Sequence, residues 1–125
     1  MNVLIADDDP HVRSAVRLLL EDEPGIAIVG DCATLDGLVE RVVRSESDVV
    51  LVDWDLAGLR SGLELRRLWT DVPRCKVVAL SGRPEERDAA LRSGAVSFVC
   101  KGDAPDTLLA VLRHLRVAAG SISGS

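Results

Sequence analysis

A short apolar run that ends in a carboxylate, Val49-Val50-Leu51-Val52-Asp53, constrains the fold more than any other stretch of this chain. Its side chains do not alternate between apolar and polar, as they would in a strand with one face in solvent. Such a run is typical of an inner strand of a parallel sheet, whose two faces are both covered by helices. Ligands of open α/β sheets bind beyond the carboxyl ends of the strands, so Asp53 is expected in a functional site.

Four further short apolar segments surround this strand, and segments with helical periodicity lie between them. The clearest helix begins at Asp9-Pro10, where Asp9 is a favourable cap and proline fits the first turn. Five strands alternating with five helices predict an α/β fold with a parallel sheet and right-handed crossovers. The predicted strands are residues 3–6, 26–29, 49–53, 76–80 and 96–100, and the predicted helices begin at Asp9, at Thr34, after Gly62, at Pro84 and at Pro105.

The 125 residues suffice for one domain with one core, which we expect over residues 1–118, followed by a linker-like tail over residues 119–125. A net charge of −5 argues against direct binding of nucleic acid or of an anionic membrane surface. No segment has the length and apolarity of a membrane span or the pattern of a signal peptide, so a cytoplasmic location is expected. Cys32, Cys75 and Cys100 are widely spaced and are expected to be reduced thiols rather than zinc ligands.

Polar side chains follow four of the predicted strands at the point where each strand ends. Asp7 and Asp8 follow the first strand, Asp53 ends the third, Ser81 follows the fourth and Lys101 follows the fifth. Because the carboxyl ends of parallel strands meet at one edge of the sheet, these side chains should converge. Three carboxylates so close together repel one another unless a cation neutralises them, and Mg²⁺ prefers such oxygen ligands. The ammonium and hydroxyl groups would complement an anion such as a phosphoryl group attached to Asp53.

These motifs together resemble the receiver domain of bacterial two-component response regulators. The resemblance rests on residues 3–10, the strand that ends in Asp53, residues 79–82 and residues 94–101, and it covers about residues 2–118. It implies a flavodoxin-like (βα)5 fold, with a doubly wound five-stranded parallel sheet of order 2-1-3-4-5. It also implies a phosphorylation-controlled domain that receives a phosphoryl group from a sensor histidine kinase, a phosphotransfer protein or a small phosphodonor. Such a domain phosphorylates and dephosphorylates only itself, and it controls an output that is expected to be transcription.

The resemblance assigns roles to individual residues at the predicted site. Asp53 would be the phosphoacceptor, and Ser81 and Lys101 would contact the phosphoryl group. Mg²⁺ would be held by the two acids that follow the first strand, by Asp53 and by the backbone carbonyl of Asp55. No further cofactor is implied.

Phe98 and Arg83 also gain roles from the resemblance. Phosphorylation adds about two negative charges beside Ser81, whose inward movement would open a space that Phe98 fills by changing its rotamer. The change would alter the face where an output domain or a second copy docks, so a homodimer is left open. A core aromatic without a switching role is the alternative for Phe98. Asp55 and Arg83, two residues beyond Asp53 and Ser81, occupy positions at which the family tunes the lifetime of the phosphoryl group.

The chain departs from the family pattern in the loop after Asp53. Ala57 stands where a proline is usual, and Gly62 lies one residue late, so a longer loop is expected. Lys101 is followed by Gly102 rather than by proline, which is more similar to receivers of LuxR-type regulators.

Two other functions are compatible with parts of the sequence. A pseudo-receiver would use the same fold as an interaction module without phosphorylation, and the altered loop after Asp55 is its one support. Asp53-Trp54-Asp55 also resembles the nucleophile motif of haloacid-dehalogenase-type phosphatases. In those enzymes the nucleophile strand comes first, whereas here the acid pair at residues 7–8 precedes it, so the order of motifs argues against a phosphatase.

Overall fold

The structure, a computed structural model, describes residues 1–56 and 63–123 of the chain. Within that part the chain alternates five strands with five helices, and all strands pair in parallel in the order β2-β1-β3-β4-β5. The predicted α/β fold and strand order are therefore confirmed. The strands are β1 (Asn2–Ala6), β2 (Ala27–Cys32), β3 (Val49–Asp53), β4 (Lys76–Ser81) and β5 (Ser97–Cys100). The helices are α1 (Pro10–Leu20), α2 (Leu38–Ser45), α3 (Leu63–Asp71), α4 (Arg87–Ser93) and α5 (Pro105–Ser123).

Strand β3 lies at the centre of the sheet between β1 and β4, and all five of its residues are buried. Its side chains alternate between two separate apolar cores. Val50 and Val52 pack with residues of α2, α3 and α4 on one face of the sheet. Val49 and Leu51 pack with residues of α1 and α5 on the other face. The apolar run thus serves both layers of a doubly wound sheet, which explains why it lacks polar residues before Asp53.

Helix α2 differs from its sequence prediction at its first turn. Thr34 does not cap it; the helix begins at Leu38, and Gly37 with φ +69° is the N-cap. Leu35 is buried although it precedes the helix. Val43 is 56% exposed, because it lies about 100° further round the helix than the buried Val42.

Two predicted segment boundaries also move. The second strand was expected over residues 26–29 but spans Ala27–Cys32. The helix expected from Pro84 begins instead with a 3-10 turn, Pro84–Glu86, and α4 follows it directly. It ends at Ser93, and Gly94 follows with φ +123°, a conformation that favours glycine; a Cβ there would lie 3.0 Å from the Trp69 ring.

Several features at the margins of the fold bear on the sequence predictions. Ala57 and Gly62, which mark the expected longer loop, lie outside the described residues. The backbone of α5 is helical through Ser123, past the expected boundary at residue 118.

All three cysteines are free, and burial raises the pKa of the Cys75 thiol to about 11. Among the described helices, none has the length and apolarity needed to cross a membrane.

Candidate functional site

The carboxyl ends of the strands bring the predicted polar residues to one edge of the sheet. Asp7, Asp53 and Ser81 are 0%, 3% and 0% exposed, while Asp8 faces solvent. Carboxylates are rarely buried to this extent unless they are paired, because leaving water costs a charged group several kcal/mol. Such burial at the end of a sheet marks this edge as the candidate site.

The ammonium of Lys101 lies between the two buried carboxylates. Its Nζ is 2.9 Å from Oδ2 of Asp7 and 3.2 Å from Oδ1 of Asp53. The main-chain N–H of Lys101 donates to the carbonyl of Ser81 at 2.7 Å, which anchors the residue at the end of β4. Burial opposes the charge of Lys101, but the hydrogen bond to Asp7 and the two negative charges outweigh it and raise the pKa of the ammonium. A fixed positive charge is therefore held at the centre of the site.

Asp53 is surrounded by groups that act on its charge in opposite directions. Burial raises the pKa of its carboxyl, and the charge of Asp7 adds to this. The main-chain N–H of Asp55, which donates to Oδ1 at 3.0 Å, and the ammonium of Lys101 work against the rise. The net effect is a raised pKa, so the ionised carboxylate at the end of β3 is destabilised and would gain from a further positive group.

The acidic cluster fits a divalent cation. Asp7, Asp8 and Asp53 each offer a carboxylate oxygen within 4.8 Å of the others, against the single ammonium of Lys101. Oδ1 of Asp7 is also held in place by the main-chain N–H of Asp9 at 2.9 Å. Three negative charges and one positive charge leave an excess that a hard cation with oxygen ligands, such as Mg²⁺, would neutralise.

The hydroxyl of Ser81 is engaged by the main chain two residues further on. The N–H of Arg83 donates to Oγ at 3.0 Å, and Oγ donates to the carbonyl of Arg83 at 3.4 Å. The structure therefore brings Ser81 to the site, as predicted, with its hydroxyl bonded within its own loop.

A cluster of three charged side chains borders the site. The guanidinium of Arg83 contacts the carboxylates of both Asp55 and Glu86. Its hydrogen bond holds the pKa of Asp55 below the usual range, and the same contact raises the pKa of Arg83. Sequence reasoning named the first two residues but missed Glu86. The signal available was the spacing of three between Arg83 and Glu86, at which oppositely charged side chains meet on one helical turn.

Comparison with known protein families shows to which family this fold and site belong. The family model described as the response regulator receiver domain matches residues 3–113. This chain belongs to that family. The resemblance drawn from the sequence motifs is thus confirmed, and receiver domains are signalling domains rather than classical enzymes.

Two individual relatives are similar to this receiver domain over most of its length. Response regulator UvrY of Escherichia coli (strain K12) is 32% identical over 118 residues, covering 92% of this chain and 54% of UvrY. Nitrate/nitrite response regulator protein NarL of the same strain is 30% identical over 123 residues, covering 96% and 56%. Both relatives are response regulators. The chain spans about half the length of these relatives.

A solved receiver domain has the same fold. The isolated REC domain of RcsB from Salmonella enterica serovar Typhimurium, solved in the presence of the phosphomimetic BeF3⁻, matches with a TM-score of 0.81. The two are 26% identical, and the match covers 93% of this chain and 88% of the RcsB domain.

Phe98, the expected switch residue of the receiver domain, lies in β5 and is 5% exposed. It belongs to the core between the sheet and helices α2, α3 and α4. The guanidinium carbon of Arg87 lies 6.0 Å from the centre of its ring, at the outer limit of a cation–π contact. This buried position is compatible both with a switching aromatic and with a core aromatic.

An apolar groove of about 490 Å³ adjoins the site next to Lys101. It runs between α1 and the start of α5. Leu18, in the last turn of α1, is among its lining residues and is 70% exposed. Sequence periodicity did not single out Leu18, because the inner stripe of α1 already had its apolar residues. The groove is lined mainly by Val12, Ala15, Leu19, Val99, Ala104 and Leu108.

Proposed function

We propose that this receiver domain accepts a phosphoryl group on Asp53 and thereby controls a partner surface. The observation that carries the proposal is the buried Asp53 carboxylate with the Lys101 ammonium 3.2 Å away and the two acids that follow β1 beside it. A buried nucleophile next to a fixed cation is the arrangement expected where negative charge accumulates during phosphoryl transfer. The domain unit is proposed to comprise residues 1–118, and we propose that it acts in the cytoplasm.

The chemistry follows from these groups. A carboxylate oxygen of Asp53 attacks the phosphorus of a phosphohistidine, the P–N bond breaks, and its electron pair returns to the imidazole. Lys101 then pairs with the phosphoryl oxygens, and loss of the group occurs when water attacks phosphorus and the P–O bond to Asp53 breaks. Mg²⁺ would be held by Asp7, Asp8, Asp53 and the backbone carbonyl of Asp55, and it would neutralise phosphoryl charge.

Ser81 and Phe98 would convert phosphorylation into a change of surface. The new phosphoryl oxygens compete with the main chain of Arg83 for the Ser81 hydroxyl, which can donate only one hydrogen bond. Movement of Ser81 toward them would alter the packing of β4 against Phe98 in the neighbouring strand β5. Asp55 and Arg83, at the mouth of the site, would tune the lifetime of the phosphoryl group.

The partners follow from the donor and from the relatives. A sensor histidine kinase or a phosphotransfer protein would approach across the apolar groove beside Lys101, where Leu18 is exposed. UvrY and NarL are response regulators about twice the length of this chain, which supports an output in transcription through a further domain. A second copy of the receiver is a further partner, and direct binding of nucleic acid by this domain is not proposed.

The decisive experiment is a titration with beryllofluoride, a phosphoryl mimic, in the presence of Mg²⁺. Trp54 is half-buried next to Asp53, and its main-chain N–H donates to the carbonyl of Leu80 at 2.7 Å, so the indole is held close to the site and its fluorescence should report binding. Trp69→Phe leaves Trp54 as the sole tryptophan. We expect a saturable change that requires Mg²⁺ and is lost in Asp53→Asn. A folded wild type that gives no change would overturn the proposal and favour the pseudo-receiver.

A further inference from the structure

The cluster of Asp55, Arg83 and Glu86 joins two loops at the mouth of the site. Asp55 follows β3, whereas Arg83 and Glu86 belong to the segment between β4 and α4. The side chain of Glu86 is 17% exposed, compared with 40% for Asp55 and 57% for Arg83, and its Oε1 is buried. Glu86 is thus the enclosed member that anchors the exposed guanidinium.

Arg83 connects this cluster to Ser81 through its own main chain. Its N–H and carbonyl hold the Ser81 hydroxyl, while its side chain is held by the two carboxylates. To move, the Ser81 hydroxyl must therefore break its hydrogen bonds to the main chain of Arg83, and the Arg83 side chain is itself held by two carboxylates. The carboxylate of Glu86 contacts neither Ser81 nor Asp53 in the structure as described; it contacts Arg83 and also shares a hydrogen bond with Asp55. Of these two partners, Arg83 is the one that is bonded to the Ser81 hydroxyl.

We propose that Glu86 is a positioning residue that holds Arg83, and through it the Ser81 hydroxyl, in the arrangement of the unphosphorylated domain. This inference rests on the proposed function, because it concerns the cost of moving Ser81 toward a phosphoryl group. Without Glu86, Arg83 keeps only the more exposed contact with Asp55, which salt and water weaken. Ser81 is then released at lower cost, and the phosphorylated arrangement becomes more accessible.

The test compares two substitutions that change the same charge in the same turn. Glu86→Gln removes the negative charge that pairs with Arg83, whereas Glu85→Gln removes the charge of an exposed neighbour for which no ion pair is found among the described residues. Beryllofluoride is titrated at saturating Mg²⁺ with Trp54 fluorescence as the readout. We expect the apparent Kd to fall about fivefold in Glu86→Gln, a typical size for coupling between two sites, and to change little in Glu85→Gln.

A double-mutant cycle separates a positioning role from a general effect on the fold. In an Arg83→Ala background, Glu86→Gln should have no further effect on the Kd, because the link to Ser81 is already broken. High salt should also reduce the difference between wild type and Glu86→Gln, since much of the cluster is exposed. Glutamine has nearly the same shape as glutamate, and thermal unfolding of each variant reports whether the fold is retained.

The inference is overturned if both glutamine variants shift the Kd equally, if Glu86→Gln does not tighten binding, or if its effect persists unchanged in Arg83→Ala. Failure of the proposed function would look different: wild type itself would give no response that depends on Mg²⁺ and Asp53. The two failures are therefore distinguishable in one set of titrations.

Discussion

The side chain of Asp53 lies in surroundings that disfavour the ionised form of its carboxyl group. Because burial raises its pKa above the ordinary value of 3.8, the folded domain binds the proton more tightly than the unfolded chain does. Stability therefore falls as the pH rises from about 3.8 through the folded pKa, and the ionised carboxylate is destabilising at neutral pH. We expect Asp53→Asn to raise Tm by a few degrees at pH 7 without Mg²⁺, measured by thermal unfolding.

Mg²⁺ provides the control for this prediction. A cation that binds only the folded domain stabilises it in proportion to the logarithm of its concentration. Added Mg²⁺ should raise the Tm of wild type more than that of Asp53→Asn, since the variant lacks one carboxylate ligand. An equal rise in both would contradict a cation site that includes Asp53.

Lys101 is the single cation that contacts both buried carboxylates at distances of 2.9 and 3.2 Å among the described residues. Removing one partner of a buried charge pair leaves the other uncompensated. Lys101→Ala should therefore lower the free energy of unfolding by roughly 1–3 kcal/mol without Mg²⁺. Denaturant unfolding with and without Mg²⁺ measures this.

The same variant tests the functional role of Lys101. Mg²⁺ should restore part of the lost stability, while beryllofluoride should no longer alter partner binding or self-association. Retention of the wild-type response to beryllofluoride in Lys101→Ala would refute a role for the ammonium in coupling.

The turn between α4 and β5 depends on a glycine, Gly94, which follows the last residue of α4. Gly94 has φ +123°, and a Cβ there would lie 3.0 Å from the Trp69 ring of α3. Gly94→Ala should lower stability by about 1–3 kcal/mol, because it combines backbone strain with a steric overlap. Gly102→Ala is the matched control, since nothing lies within 4 Å of its Cβ position. Equal denaturation midpoints for the two variants would exclude the Trp69 contact as the cause.

The comparison of sequence and structure shows which elements local patterns determine. The strand at residues 49–53 and the residues at the strand ends could be predicted, because burial on both faces and parallel pairing leave a direct trace in the sequence. The start of α2 could not, because Gly37 adopts a positive φ that only the path from β2 to α2 imposes. Glu86 was missed although its spacing of three from Arg83 is visible in the sequence. What the sequence does not show is that Asp55, from the loop after β3, meets this pair, because only the finished sheet brings the two loops together.

In the folded molecule the candidate site and an apolar surface lie side by side. The groove beside Lys101 and the exposed Leu18 adjoin the site. Val43, another exposed aliphatic side chain, lies on α2 and does not line the groove. A protein donor must cover apolar surface to bring its phosphohistidine to Asp53, but a small phosphoryl mimic need not. Leu18→Asp should therefore slow phosphotransfer from a phosphohistidine protein at least about tenfold, the effect of one buried apolar contact at an interface.

Two comparisons make this prediction specific to docking. Beryllofluoride affinity should be the same in Leu18→Asp and wild type, because Leu18 lines the groove and is neither a member of the acidic cluster nor a charged partner of Lys101. Val43→Asp introduces the same charge on another helix and should leave phosphotransfer unchanged. The measurement is the rate at which label moves from any phosphohistidine protein that serves wild type. Equal slowing in both variants would indicate a general effect of negative charge, and would assign the groove no part in recognising the donor.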